Sequence, residues 1–251
     1  MPIPLNIQYK QAVSFSCIRP YQTIRPYRFS KPIRSNPQQG LTHKPTTRFN
    51  PQNFKQSISY FMQPYLDQFI PSNYYHVWNH AVGTDLLFKS DDNYRFFLSK
   101  YAHYMAPVVN THAYCLMPNH FHFLIHIPNE EQLLRFAETE GLHFKSTHQF
   151  VMQRFSNLFN SYVKAFNKQR NRRGALLEDY LKRQAVTAAD YYANLIPYIH
   201  NNPVKDGFVK QQEDWIYSSF NTMLSEKPSL LNRAEVLKWF GNKEGFLGAH
   251  F

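Results

Sequence analysis

The sequence predicts an α+β domain in which an antiparallel sheet is covered by helices on one face. Strand-like and helical segments follow one another in mixed order over residues 73–203, and two of the strand-like segments are joined by a tight turn typical of a hairpin. A chain of 251 residues with 43% hydrophobic residues can bury one core, and it contains no internal repeat. These observations favour one domain with flanking segments over two full domains.

The first half of the predicted domain holds three strands and a helix. Residues Tyr74–His80 are rich in strand-forming side chains, and apolar residues at helical spacing follow Asp91. Val108–Leu116 and His120–Ile127 are predicted to be two further strands. Met117–Asn119 contains a proline and an asparagine and is predicted to be the turn between them, which makes these two strands a hairpin.

The second half is predicted to hold two helices and a short strand. Apolar residues recur every three or four positions from His148 to Gln169, which indicates a long amphipathic helix. Asn171–Gly174 breaks this helix, and Leu181–Val186 is a candidate short strand. Ala188–His200 is predicted to be a further helix that ends at Asn201–Pro203, because proline cannot donate the backbone hydrogen bond that continues a helix.

The N-terminal part of the chain differs in composition from this domain. Residues 1–60 carry nine Lys and Arg and no Asp or Glu, and the first 55 residues hold half of the 16 prolines. Such a composition is typical of a disordered or extended arm, which we place at residues 1–70. The domain proper is expected at residues 71–225, followed by a C-terminal extension at residues 226–251.

Composition excludes several classes of protein. Every apolar run is far shorter than the roughly 20 residues that cross a bilayer, so we expect a cytoplasmic protein with no membrane partner. Two cysteines, Cys17 and Cys115, cannot build a disulfide framework or a cysteine zinc site. The net charge of +11 indicates an anionic partner, and a basic patch at Lys145–Arg183 is expected to meet it. The alternative for this patch is an ordinary solvated surface.

A His-x-His pair follows the predicted turn directly. His120 and His122 are two residues apart on a strand, so their imidazoles share a face and can converge on one divalent ion, while Phe121 points into the core. The alternative is a pair of surface histidines on an amphipathic strand. His126 lies further along the same face, where we expect it to support the ligands or to have no role.

A second candidate constellation lies near the end of the last predicted helix. Tyr198 and Asn202 are four residues apart, so they share one helix face and can present a nucleophilic hydroxyl and an amide ligand together. A hard ion such as Mg²⁺ or Mn²⁺ accepts an amide oxygen beside imidazoles. Pro197 is expected to disturb this geometry. Tyr162 is a rival nucleophile, although its apolar neighbours favour a role in the core.

These segments resemble a known family. Residues Ala113–Ile125 are similar to the HUH hairpin of the REP-associated tyrosine transposases, a branch of the single-tyrosine HUH transposases. Three more segments agree in order with that family's first strand, tyrosine helix and C-terminal signature: Tyr75–Asn79, Tyr198–Gly207, and Asp214–Trp215 with Ser218–Ser219. The resemblance covers roughly residues 72–221, and four matches in order are far more specific than one motif.

The resemblance implies a ferredoxin-like sheet of the HUH endonuclease type and an activity. In that reading His120 and His122 bind Mg²⁺ or Mn²⁺, Asn202 completes the site, and Tyr198 attacks single-stranded DNA beside a hairpin to form a 5′-phosphotyrosine. No nucleotide cofactor is implied. Seven basic residues are expected to contact the DNA backbone, namely Lys164, Lys168, Arg170, Arg172, Arg173, Lys182 and Arg183. Tyr180 is a candidate to stack on an unpaired base.

Several alternatives stay open from the sequence alone. The chain can be a domesticated hairpin-binding protein that recognises DNA or RNA without cutting, or a hydrolase that activates water at the His-x-His pair. The arm can be an additional DNA-binding segment or upstream sequence translated from a wrong start. The oligomeric state is undecided between monomer and dimer, and analogy with the family favours a monomer.

Overall fold

The computed structural model describes residues 65–250, so the predicted arm up to residue 64 lies outside this range. Four strands form one antiparallel sheet in the order β2-β3-β1-β4. The strands are β1 (Tyr74–His80), β2 (Asn110–Met117), β3 (His120–His126) and β4 (Lys182–Val186). This strand order, with helices between β1 and β2 and between β3 and β4, is the ferredoxin-like β-α-β-β-α-β arrangement.

Helices cover both faces of this sheet. The longer ones are α1 (Asp91–Tyr104), α2 (Glu130–Thr139), α3 (Thr147–Gln169) and α4 (Ala189–Lys205), and three short ones follow, α5 (Phe220–Leu224), α6 (Arg233–Trp239) and α7 (Lys243–Gly248). On one face α1 and α3 pack against each other, and Phe97 of α1 and Phe159 of α3 both contact Phe121 of β3. On the other face α4 packs against β2 and, to a lesser extent, β3 and β4. The predicted α+β fold is confirmed. The prediction placed the helices on one face of the sheet, whereas α4, which it included as Ala188–His200, packs on the other face.

Short flanking segments cover both edge strands of the sheet. Residues 65–67 run beside β4, where the N–H of Arg183 donates to the carbonyl of Tyr65 at 2.6 Å. Residues 217–219 run beside β2, where the N–H of Leu116 donates to the carbonyl of Tyr217 at 3.0 Å. An open strand edge would present unpaired backbone groups to other chains, and these segments occupy that position.

Both predicted domain boundaries fall within packed chain. Phe69, assigned to the arm, is buried and stacks on Phe155 of α3. Val236 and Phe246, assigned to the C-terminal extension, are fully buried. The packed body that the structure describes therefore extends beyond residues 71–225 in both directions.

Two helices differ from the sequence prediction. The prediction omitted α2, although Asn129 and Gln132 form a reciprocal capping box at its start, which is a recognisable sequence signal. It also ended α4 at His200, whereas the helix continues through Pro203 to Lys205.

None of the helices between residues 65 and 250 combines the length and apolar character needed to cross a bilayer.

Candidate active site

His120 and His122 lie on the face of the sheet that α4 partly covers. They alternate with Phe121 at the start of β3, so the two imidazoles share one face while Phe121 packs against α1 and α3. The two ring centres are 5.0 Å apart, with an interplanar angle of 83°. Only 8% of His120 and 5% of His122 is exposed. The fold therefore brings together the two imidazoles that the sequence predicted to converge.

Both imidazoles are neutral at physiological pH. Burial, together with the charge of His80, lowers the pKa of His120 to about 4. Burial and the neighbouring histidines hold the pKa of His122 well below its usual value. Nδ1 of His120 lies 2.8 Å from Oδ1 of Asn119, which can only accept, so Nδ1 donates and Nε2 keeps its lone pair. A neutral imidazole with an available nitrogen is the form that binds metal.

The side chain of Asn202 is oriented by the helix that carries it. Pro203 has no N–H, so the carbonyl of Ile199 lacks its usual helical donor four residues later. Nδ2 of Asn202 donates to this carbonyl at 3.4 Å and to the carbonyl of Tyr198 at 2.8 Å. The amide oxygen therefore turns away from the backbone, and the Asn202 side chain lies close enough to His120 to affect the pKa of that imidazole. An amide oxygen thus lies beside the imidazole pair.

Tyr198 stands at the open side of this group. Its ring centre is 5.8 Å from that of His122 and 6.2 Å from that of His76, and 44% of the residue is exposed. Lys205, about two turns further along α4, places its ammonium 5.8 Å from the centre of the Tyr198 ring. Pro197 does not interrupt α4, which continues through both of its prolines. The tyrosine is therefore next to the imidazoles and open to a ligand from solvent.

The donor set fits a hard divalent cation held by mixed ligands. Among residues 65–250, no group of three or more His, Cys, Asp or Glu side chains is arranged to hold a metal ion. A cation here would therefore need the amide oxygen of Asn202 beside the imidazoles of His120 and His122, with water or a ligand at the remaining positions.

Strand β1 adds two histidines that the sequence analysis did not include. Along β1 the residues that face α1 and α3 alternate with residues on the opposite face of the sheet, and His76 and His80 belong to the opposite face. Strand β1 pairs antiparallel with β3. Nε2 of His76 lies 2.9 Å from Nδ1 of His122, and the ring of His80 stacks on that of His120 at 4.9 Å. Alternation along β1 indicates that these two share a face. Only the pairing of β1 with β3 shows that they meet the His-x-His pair.

A buried His–His–Ser relay ties α4 to its neighbours. Nδ1 of His250 lies 2.7 Å from the carbonyl of Phe246, which can only accept, so Nδ1 donates. Nε2 of His250 then accepts from Nδ1 of His200 at 2.9 Å, and Nε2 of His200 accepts from the hydroxyl of Ser219 at 2.6 Å. Oγ of Ser219 accepts the backbone N–H of Tyr114 at 2.8 Å. The relay anchors the turn of α4 that lies between the tyrosine and the asparagine.

The basic residues predicted to contact DNA do not form one surface at this site. Lys164 and Lys168 are exposed on α3, which packs on the opposite face of the sheet. Arg170 and Arg173 are exposed after the end of that helix. Of the seven, Lys182 is placed on the site's face by the register of β4 with β1.

Arg183 and Arg172 correct the predicted set, because both are engaged within the fold. Only 7% of Arg183 is exposed, and its guanidinium donates to three backbone carbonyls, those of Leu66, Asp67 and Leu181. Arg172 forms an ion pair with Asp85 and also donates to the carbonyl of Ala175. These two side chains hold segments of the protein in place and are not presented to a ligand.

The remaining candidates occupy separate places. Tyr162 is 1% exposed, and its hydroxyl donates to the carbonyl of Leu87 in the core between α1 and α3. The predicted preference for core packing is confirmed for this tyrosine. His126 lies at the far end of β3, where its ring is 4.6 Å from that of Tyr74. Tyr180 is 75% exposed in the loop before β4.

Comparisons with known proteins agree with the resemblance found in the motifs. A curated protein of Haemophilus influenzae named "Putative REP-associated tyrosine transposase" is 28% identical over 115 residues, which cover 44% of this chain and 58% of that protein. The chain thus spans little more than half of that relative. A solved structure described as the REP-associated tyrosine transposase bound to a REP hairpin matches with a TM-score of 0.51 and 17% identity, over 66% of this chain and 89% of that one. No family model matches the chain. The likeness to REP-associated tyrosine transposases is confirmed, and the fold is shared.

Proposed function

We propose that this chain, similar to REP-associated tyrosine transposases, is a metal-dependent single-stranded DNA endonuclease and strand transferase that acts beside hairpins. The observation that carries the proposal is the meeting of Tyr198 with the His120 and His122 pair, at 5.8 Å between the tyrosine ring and the nearer imidazole. Asn202 lies one turn from the tyrosine, and its side chain is next to His120. A candidate nucleophile, two imidazoles and an amide side chain thus lie close together.

The chemistry follows from the exposed hydroxyl. Oη of Tyr198 attacks the scissile phosphorus, so a phosphotyrosine bond forms at the 5′ end of one fragment and the bond to O3′ breaks. The phenol loses its proton, and the departing 3′ oxygen gains one. A Mg²⁺ or Mn²⁺ ion would polarise the phosphate and stabilise the charge developing on its oxygens. Attack of a 3′-hydroxyl on the phosphotyrosine reverses the step or joins a new end, and no nucleotide cofactor is consumed.

The charge of the site suits a polyanion. Both imidazoles and the amide would be neutral metal ligands, so they would not offset the positive charge of a bound divalent ion, which could then attract a phosphate. The exposed Lys205 adds a cation beside Tyr198, and Lys182 lies on the same face of the sheet. The solved relative is described as bound to a REP hairpin, and we extend hairpin-flanked DNA to this chain as its substrate. We propose that it acts as a monomer.

The test uses single-stranded hairpin oligonucleotides incubated with the protein and Mn²⁺. A substrate labelled at its 3′ end should yield a slow protein–DNA band on denaturing gels, because the phosphotyrosine retains the fragment that carries that label. A substrate labelled at its 5′ end should yield only a shorter free product. Tyr198→Phe should abolish the adduct. Tyr162→Phe, the matched control in the core, should retain it.

Other outcomes discriminate among the alternatives. A domesticated binding protein would shift the probe on native gels and leave every strand intact, with or without metal. Cleavage that persists in Tyr198→Phe would indicate hydrolysis by an activated water. Loss of the adduct in Tyr162→Phe alone, with the variant still folded, would transfer the nucleophile to the other tyrosine.

A further inference from the structure

His76 makes a direct hydrogen bond to one of the two proposed metal ligands. Its Nε2 lies 2.9 Å from Nδ1 of His122, and the two rings are nearly parallel, with centres 5.1 Å apart. His76 is 6% exposed, and the ring of Trp78 stacks on it at 4.5 Å with an interplanar angle of 28°. Its ring is therefore fixed by packing on the same strand face.

One proton occupies the His76–His122 contact, and its position decides what His122 can bind. If Nε2 of His76 carries the proton, His122 accepts through Nδ1 and carries its own proton on Nε2, which leaves it no nitrogen for a cation. If Nδ1 of His122 carries the proton, it donates to His76, and Nε2 of His122 keeps a lone pair. Metal binding by His122 therefore requires His76 to be the acceptor.

The second ligand shows the same arrangement with a different partner. Nδ1 of His120 donates to Oδ1 of Asn119 at 2.8 Å, so its Nε2 is left for a ligand. An amide oxygen can only accept, which fixes the tautomer of His120 outright. For His122 the acceptor is a histidine from another strand.

We propose that His76 is a positioning residue that accepts the Nδ1–H of His122, and so holds that ring in the tautomer and orientation that present Nε2 to a divalent cation. The inference rests on the metal site of the proposed function. Partners of metal-binding histidines typically contribute about 10–100-fold to metal affinity, because they fix the ring and raise its basicity.

His80 provides a matched control within the same strand. It stacks on the other proposed ligand, with ring centres 4.9 Å apart and an interplanar angle of 19°. Its Nδ1 is buried and has no hydrogen-bond partner in the described structure. His80 therefore shares the stacking and the strand face of His76 but lacks the bond that the inference requires.

The experiment measures Mn²⁺ binding to the DNA-free protein by titration calorimetry, with folding checked by circular dichroism in EDTA. His76→Met and His76→Gln have side chains of similar length, and only glutamine offers an oxygen that can accept the N–H of His122. We expect His76→Met to bind Mn²⁺ at least about tenfold more weakly than wild type, and His76→Gln and His80→Met to stay within about threefold.

Three results would overturn the inference. The first is wild-type affinity in a folded His76→Met variant, and the second is an equal loss in folded His76→Gln and His76→Met variants. The third is a wild-type protein that takes up no Mn²⁺, which would also remove the metal site from the proposed function. Adduct formation in wild type with unchanged affinity in His76→Met would refute the positioning role alone.

Discussion

Replacing His250 by phenylalanine isolates the contribution of the buried His–His–Ser relay to stability. Nδ1 of His200 donates to His250, and His200 is fully buried, so the substitution leaves its N–H with no acceptor. The aromatic neighbours Phe220 and Phe246 already pack against the His250 ring, so a phenyl ring fits the same surroundings. The loss is therefore mainly that of an unpaired buried donor, about 2 kcal/mol.

The expected result is a lower melting temperature with an unchanged fold. For a domain of this size, 2 kcal/mol corresponds to a drop of about 4–8 °C in Tm, measured by circular dichroism in EDTA. Chemical denaturation should give the same free energy difference with an unchanged slope against denaturant. Adduct formation provides a second readout, because His200 lies between Tyr198 and Asn202 on α4.

A double-mutant cycle makes the reasoning refutable. Replacing His200 and His250 together by phenylalanine removes donor and acceptor at once, and the Ser219 hydroxyl has the carbonyl of Tyr114 at 3.3 Å as another acceptor. The double variant should be at least about 1 kcal/mol more stable than the sum of the single losses predicts. Additive losses, within about 0.5 kcal/mol, would refute the relay as the source of the effect.

Three further predictions concern charge and ligation. Arg183→Met should destabilise the protein by about 3 kcal/mol by freeing three buried carbonyls, with DNA affinity unchanged in the folded fraction. Lys182→Met removes only a partly exposed ion pair with Glu178, so it should cost at most about 1 kcal/mol, and it should reduce the salt dependence of DNA binding by about one ion. Reversed effects in melting and filter-binding assays would contradict both. Asn202→Ala should weaken Mn²⁺ binding, and it should also destabilise the protein by about 1 kcal/mol because the Ile199 carbonyl loses its donor. Wild-type Mn²⁺ affinity in calorimetry together with a wild-type melting temperature would argue against both roles of this side chain. Burial lowers the pKa of His112 to about 4 despite the opposing charge of Glu235. The unfolded chain therefore binds this proton at higher pH than the folded protein, and the free energy of unfolding falls as pH drops from 6.5 to about 4. His112→Gln should flatten this dependence by up to about 1.4 kcal/mol per pH unit, and equal pH dependences of the free energy of unfolding in both proteins, measured by urea titration, would show that His112 contributes nothing to it.

Local pattern predicted the four strands, three of the four longer helices, and four residues of the candidate site. Strand alternation placed His120 and His122 on one face, and helical spacing placed Tyr198 one turn from Asn202. These inferences need only the period of one element. The doubt raised by Pro197 did not materialise, since α4 continues through it.

What the sequence left out depends on contacts between distant segments. His76 and His80 meet the His-x-His pair only through the pairing of β1 with β3, because their partners are 46 and 40 positions away in the sequence. Arg183 was predicted to touch DNA because basic neighbours surround it in sequence, but it is buried against residues 66 and 67. The periodic pattern of side chains within one helix or strand predicts neither the register between strands nor the packing of distant segments. Charge density along a chain therefore indicates a patch without showing which members reach the surface.

The hydrogen bond from Asn202 to the Ile199 carbonyl ties the amide of this proposed ligand to the backbone of α4. Tyr198 and Asn202 are both fixed to α4 by backbone geometry, whereas the two imidazoles belong to the sheet. A tilt of α4 relative to the sheet would move the Tyr198 hydroxyl and the Asn202 amide together and would change their distances from the imidazoles. A displaced α4 would therefore carry the amide and the proposed nucleophile away together and leave the histidine pair on the sheet.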